Sequence, residues 1–314
     1  MQFPLVHVSW ALADNAQRPA CDAFFREVFG AQTAYEIRVT PETEKLGLDR
    51  EESLLMIGDT MVIPIAPAGR GAEKGNPLGD MLRRSAAPGR WIGLALKVGD
   101  LAHADAWFAA RGFKRFYDPG MEAHYFLVPK GQMLGMRLEI VKQDMPNDPR
   151  RDPAWFPAKD DPLGIEGLQA VGVSTPSLAE ARALFADRLE WQDLGTRDLP
   201  EARCAAFTIG DTVLEALEGA PGSAAARHAA EVQGVCHLVF KLRDAAAAAD
   251  RLRVQGLPLI GDVEDRFAIH PDAAHGRLIW LTGVTPPGYP PARLSARNGY
   301  RRAALMVAGG DGPS

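Results

Sequence analysis

Cysteine is scarce in this chain. Cys21, Cys204 and Cys236 are the three present among 314 residues, none in a close pair of the CxxC kind, so a reduced, cytoplasmic setting is expected. All three lie in apolar stretches that favour inert packing over nucleophilic use. Long apolar runs are also missing: no segment approaches the roughly 18 residues of a spanning helix, so no membrane partner is expected. Met1 to Val8 has neither the charged nor the long apolar region of a signal peptide. Positive charge is not in excess; a formal net charge of -5 and a pI near 5.8 leave no global attraction for nucleic acid or acidic membranes. Arg293, Arg297, Arg301 and Arg302 bias the C-terminal end locally. With Pro and Gly around them they read as a surface-hugging or mobile tail. No Gly-rich phosphate loop follows a strand pattern, and no GxSxG occurs.

What is present is a duplication. Ile57, Gly58, Asp59 and Thr60 recur in order as Ile209, Gly210, Asp211 and Thr212. Each tetrad reads as a tight turn, with a permissive Gly and a locally bonding Asp, that feeds a β-rich run. Upstream of the first, Phe24, Phe25, Val28 and Phe29 lie at helical spacing before Gly30. Ala183, Leu184, Phe185 and Leu189 stand in the same relation to the second.

Around these landmarks the pattern predicts four units of one order, β-α-β-β-β. The first has a strand at Leu5 to Ser9, a helix of about 15 residues to Val28, and strands at Thr33 to Thr40, Glu52 to Ile57 and Met61 to Ile65. A connector with a short helical candidate at Leu78 to Arg84 follows. The second unit runs from a strand at Trp91 to Val98 through a helix at Leu101 to Ala110, to strands at Phe113 to Tyr117, His124 to Val128 and Met136 to Val141. The third carries a helix at Leu178 to Arg188, and the fourth a helix at Ala245 to Val254. Between Gln143 and Gly164 the composition turns to Pro, Asp, Asn and Arg, which marks a linker that Trp155 and Phe156 pin to a domain face. The expected division is therefore an N-terminal domain 1–143 (units 3–67 and 91–143), a linker 144–164, a C-terminal domain 165–284 (units 165–219 and 234–284) and a tail 285–314.

With this order of units, and with the run His270-Pro271-Asp272-Ala273-Ala274-His275-Gly276-Arg277-Leu278-Ile279 before the last strand, the chain resembles the vicinal oxygen chelate (VOC) superfamily. That superfamily includes glyoxalase I, methylmalonyl-CoA epimerase, extradiol dioxygenases and bleomycin resistance proteins. The resemblance covers nearly all of residues 3–284. It implies an α+β fold of four βαβββ modules paired into two domains, each a curled mixed sheet enclosing a cup. It also implies a metal in the cup, held by a residue on the first strand and a Glu or Gln on the last strand of each module.

Carried over position by position, the resemblance places His7, Ile63, Gly93 and Glu139 in the first cup and Ala170, Glu215, His237 and Trp280 in the second. Each cup keeps one imidazole and one carboxylate. His7 with Glu139, and more weakly Glu215 with His237, are thus the metal-ligand candidates, suited to zinc, iron, manganese or nickel. A third ligand is expected from His124 or His275. Glu139 is the candidate catalytic carboxylate. Strand parity sets Arg137 beside it, where a guanidinium would take a substrate carboxylate or phosphate; the same parity puts Arg277 on the face opposite Trp280. Trp280 offers a flat surface to an apolar ligand. Gly93 and Ala95 leave room in the first cup, which favours it as the functional one.

Two functions follow from the resemblance. As an enzyme, a lyase or isomerase, the protein would chelate two oxygens of a small substrate on a divalent ion while a carboxylate moves the proton. As a binding module it would sequester an apolar small molecule without a metal. A ring-cleaving dioxygenase has the same four-module length. A small-molecule partner and a homodimer are expected.

Overall fold

The computed structural model describes residues 5–45, 47–118, 120–142, 161–210 and 212–291. Trp155 and Phe156, Asp211 of the second tetrad, and the arginines from Arg293 onward lie outside these residues. Two mixed sheets account for most of the rest. The first has seven strands, β1 (Leu5–Ala11), β2 (Gln32–Ile37), β3 (Arg50–Ile57), β4 (Thr60–Pro67), β5 (Gly93–Val98), β6 (Tyr125–Val128) and β7 (Arg137–Lys142), in the order β2-β3-β4-β1-β5-β7-β6. The second has eight: β8 (Ile165–Thr175), β9 (Asp193–Leu199), β10 (Ala202–Ile209), β11 (Thr212–Gly219), β12 (Gly234–Leu242), β13 (Leu259–Asp262), β14 (Arg266–Ile269) and β15 (Ile279–Thr282), in the order β13-β14-β15-β12-β8-β11-β10-β9. In each sheet the first strands of two modules pair antiparallel at the centre, β1 with β5 and β8 with β12, and each also pairs parallel with the last strand of its own module.

The helix of the first module, α1 (Arg18–Phe29), shows why these segments fold as they do. Pro19 is pre-set for a first turn, and Gly30 ends the helix at φ +64°, a left-handed conformation that a Cβ disfavours. Cys21, Phe25, Val28 and Phe29 are buried on one face. Phe25, fully buried, contributes about 1.5–3 kcal/mol by its transfer from water. Helices α4 (Leu101–Ala110) and α7 (Ala245–Val254) open on Asp100 and Asp244, whose side chains accept from the backbone N–H of His103 and Ala247.

Two expectations need correction. Phe113 to Tyr117 is not a strand; it makes a single bridge, Phe116 to Leu127, so the second module has one strand fewer than the others. Leu178 to Arg188 is not one α-helix: α5 (Leu178–Arg182) passes into a π-helical turn over Ala183–Arg188. Within the expected tail, Tyr289 is buried against the second sheet.

One apolar core serves both sheets, uniting Val8, Trp10, Leu94 and Leu138 of the first with Val171, Leu214, Leu238 and Leu281 of the second. Alternation along each strand sends the opposite set of side chains to the far face, so each sheet encloses its own cup on the side away from the shared core. Arg277 sits in the seam. Its guanidinium is buried between Trp10 and Trp91 and donates to the backbone carbonyls of Arg90 and His275. Burial pulls its pKa down to about 10.

Candidate functional site

Strand register assembles the first cup. Met61, His7, Ala95, Glu139 and Leu127 form one row across β4, β1, β5, β7 and β6. Ile63, Ser9, Gly93 and Arg137 form the next. Side chains in such rows share a face, and His7 Nε2 lies 3.6 Å from Glu139 Oε2, with 16% and 25% of the two side chains still reachable by solvent. Among the described residues no arginine or lysine pairs with Glu139, and the guanidinium of Arg137 makes no hydrogen bond or ion pair. One wall is apolar, with Met56, Met61 and Ile63 against Leu54 and Ile65. The other is polar: Arg50 pairs with Glu52, and Tyr125 donates to Asp118 Oδ2 at 2.7 Å. Burial first, then Asp118 and Glu139, push the Tyr125 phenol well above its ordinary pKa and keep it a donor.

Gly93 does not leave room for a ligand. A Cβ there would lie 2.0 Å from the Arg137 carbonyl oxygen, so close strand approach accounts for the glycine.

The second cup contains the same pair in other company. His237 Nε2 stands 3.5 Å from Glu215 Oε2, with 5% and 1% of the side chains exposed. Arg197 donates to Glu215 Oε1 at 2.6 Å, Tyr289 to the same oxygen at 2.8 Å, and Arg266 to Oε2 at 3.4 Å. Burial opposes charge on Glu215, but His237, Arg266 and Arg197 outweigh it and hold the carboxyl far below the usual carboxylate range. For His237 burial wins over the neighbouring carboxylate, and the ring stays neutral. The imidazole lies over Gly172, where a Cβ would come within 2.3 Å of Nε2. Trp280, half-buried, packs with Ala170, Ala206, Val213, Val239 and Tyr289.

The metal question can be tested on these groups. Among the described residues no three His, Cys, Asp or Glu side chains gather into a ligand set. His275 meets Phe24 edge-on at 5.3 Å, beside the shared core, and His124 precedes β6 without joining the pair; among the described residues neither supplies the third ligand. The first-cup pair alone retains a fit. Ligand bonds of about 2.0–2.2 Å put two donors of one ion roughly 3–3.5 Å apart, near the spacing of His7 and Glu139. Such an ion would have to complete its shell from substrate oxygens or water.

Sequence reasoning missed Arg197, Arg266 and Tyr289. The first two are ordinary strand arginines until register brings them to Glu215, and Tyr289 lies in what reads as tail.

No family model matches the chain, and no curated protein matches it. Among solved structures, a mutant 4-hydroxymandelate synthase from Streptomyces coelicolor superposes over 96% of this chain and 99% of its own, at 15% identity and a TM-score of 0.63. The chain has the two-domain vicinal oxygen chelate fold. A xylose isomerase-like TIM barrel/4-hydroxyphenylpyruvate dioxygenase fusion protein matches over 99% of this chain at 16% identity and a TM-score of 0.56; this chain spans about half (53%) of that fusion. Methylmalonyl-CoA epimerase from Mycobacterium tuberculosis is 24% identical over 39% of this chain and 91% of its own, with a TM-score of 0.35. At such identities the likeness is one of fold, and vicinal oxygen chelate folds host several chemistries, so activity has to be argued from the side chains. No helix among the described residues is long and apolar enough to cross a membrane.

Proposed function

We propose that the first cup is an active site that moves a proton on a small, oxygen-rich anionic substrate, in the manner of an isomerase or lyase. The observation that carries this reading is the His7–Glu139 pair, reachable from solvent at 3.6 Å and not neutralised by any described cation. A carboxylate left charged beside open space is a base in waiting. Arg137, next to it and unpaired among the described residues, binds a substrate carboxylate or phosphate in a two-pronged contact. Glu139 takes the proton from the carbon beside a substrate carbonyl, and His7 donates to the enolate oxygen that develops. Return of the proton to the other face gives an isomer; loss of a neighbouring leaving group gives an unsaturated product. A divalent ion, held by His7 and Glu139 and completed by substrate oxygens, would replace the His7 proton as the group that stabilises the enolate.

A panel of small 2-oxo and 2-hydroxy acids, incubated in D2O and followed by proton NMR, tests the reading. Deuterium should enter beside the carbonyl of at least one member, and Arg137→Ala should raise its KM at least tenfold with a smaller change in kcat. Metal analysis of the purified protein decides whether an ion takes part. A second reading, sequestration without chemistry, is favoured by the two-ligand limit of the cup; binding without exchange would establish it. The ring-cleaving reading draws no support from a second cup whose carboxylate is held by two arginines.

A further inference from the structure

The two halves of the chain meet along two seams that the duplication makes equivalent. In each, a turn before the last strand of one half abuts the residues before a central strand of the other: Leu134 and Gly135 against Gln233 and Gly234, and His275 and Gly276 against Pro88 and Gly89. At the second of these seams two rings meet, His275 edge-on to Phe24 at 5.3 Å. At the first, Leu134 and Leu184 stand at the matching positions, and a cavity of about 680 Å³ opens between the halves.

Two local irregularities shape this cleft. Ala183, Leu184 and Arg188 reach it from the π-helical turn, a form that recurs at functional sites. Gln233 lines it with φ at +53°, where its counterpart Gly89 holds +73°. A glutamine in that conformation carries strain that a glycine would avoid. Among the described residues its side-chain amide makes no hydrogen bond.

Charge gives the cleft two unlike ends. Arg188 donates through Nε to Arg111 O at 2.7 Å and lays its guanidinium over Phe113. In the turn that Lys130 opens, Gln132 accepts from Lys114 N–H and donates to Gly112 O. Both cations are thus anchored on residues 111–114, and among the described residues neither forms an ion pair. Glu180 lies about two helical turns before Arg188, roughly 10 Å away. Leu134, Leu184 and Val232 supply the apolar lining. A cavity of this size and make-up suits a small molecule.

We infer that the cleft binds a carboxylic acid with an apolar chain. Arg188 and Lys130 hold the carboxylate, and the chain lies against Leu134, Leu184 and Val232. The lining belongs to neither cup, so the assignment is independent of the chemistry proposed for the first.

Calorimetric titration of the whole chain with octanoate tests it, with octan-1-ol as the same chain without the charge. Octanoate should bind about tenfold more tightly than octan-1-ol, and Arg188→Gln should remove most of that preference. Ala183→Trp, which puts a ring into the cleft from an exposed position, should abolish binding. Lys130→Gln, on an exposed side chain, should weaken octanoate about threefold and serves if the other variants do not fold. Arg137→Ala should leave octanoate binding as it is. The assignment is overturned if the wild-type chain shows no saturable octanoate binding, if octan-1-ol binds equally well, or if the folded cleft variants bind octanoate unchanged. It is overturned too if Arg137→Ala removes the binding, which would seat the acid in the first cup.

Discussion

The two cups hold the same two side chains at nearly the same distance, His7 to Glu139 at 3.6 Å and His237 to Glu215 at 3.5 Å. They differ in what surrounds the pair. Around Glu139 there is solvent and, among the described residues, no cation in contact, while Arg137 on the same face pairs with no described residue. Around Glu215 there are two arginines, a neutral imidazole and a phenol, all out of water. A histidine and a carboxylate on facing modules therefore do not make a site by themselves. Their charge must be left unspent, and only the first cup leaves it so.

Exchanging the two carboxylates breaks the comparison most directly. Glu139→Gln should lower proton exchange by about 10²- to 10⁴-fold, the usual contribution of a general base, and should weaken any divalent ion at least tenfold. Glu215→Gln should change exchange by less than about threefold. Deuterium incorporation and metal content, measured on both variants, check this; equal losses would make both cups functional.

Stability should respond the other way round. Removing one partner from a buried charge cluster costs about 3–5 kcal/mol, so Glu215→Ala should lose that much in urea unfolding. At the exposed first cup Glu139→Ala should lose under about 1 kcal/mol. Similar losses from the two substitutions would show that the cups are electrostatically alike.

The smallest effect is a pH dependence that belongs to the second half of the chain. His228, His237 and His275 are all held below their ordinary pKa chiefly by burial, so the unfolded chain binds protons that the folded one refuses. Stability should therefore decline as pH falls below about 6.5, the unfolded histidine value. Glu215, depressed in the fold, adds a further loss as pH falls below its unfolded value of about 4.3. Thermal unfolding followed from about pH 8 down to about pH 2.5 checks the direction, and Glu215→Gln should flatten the part of the curve below about 4.3.

The fold was legible because periodicity survives in a single sequence. The repeated Ile-Gly-Asp-Thr turn, the capped helices and the period-2 runs each require a specific backbone, and Gly58 and Gly210 do adopt φ of +57° and +61°. Parity sufficed to set Arg277 away from Trp280, and it packs on Trp10 and Trp91 instead. Phe113 to Tyr117 misled because an apolar, aromatic run is equally suited to packing under a helix, as Phe113 does against Phe108. The contents of the second cup were illegible for another reason. Arg197 reaches Glu215 across β10, through pairings of Arg197 with Cys204 and of Ala206 with Glu215, and a bulge or a one-residue slip would move it to the other face. Tyr289 arrives from a Pro-rich segment with no period at all.

The apolar layer between the sheets has a consequence for how the molecule can move and come apart. A two-domain protein commonly hinges at a polar, easily wetted boundary, but here the boundary is the core itself. The turn at Asp59 even accepts from the backbone of Leu168, 3.2 Å away in the other sheet. Bending the halves apart would wet Trp10, Phe25, Phe185 and Phe240 together. The two halves are accordingly bound to melt in one cooperative step. Cut apart, each half would expose its side of that layer to water.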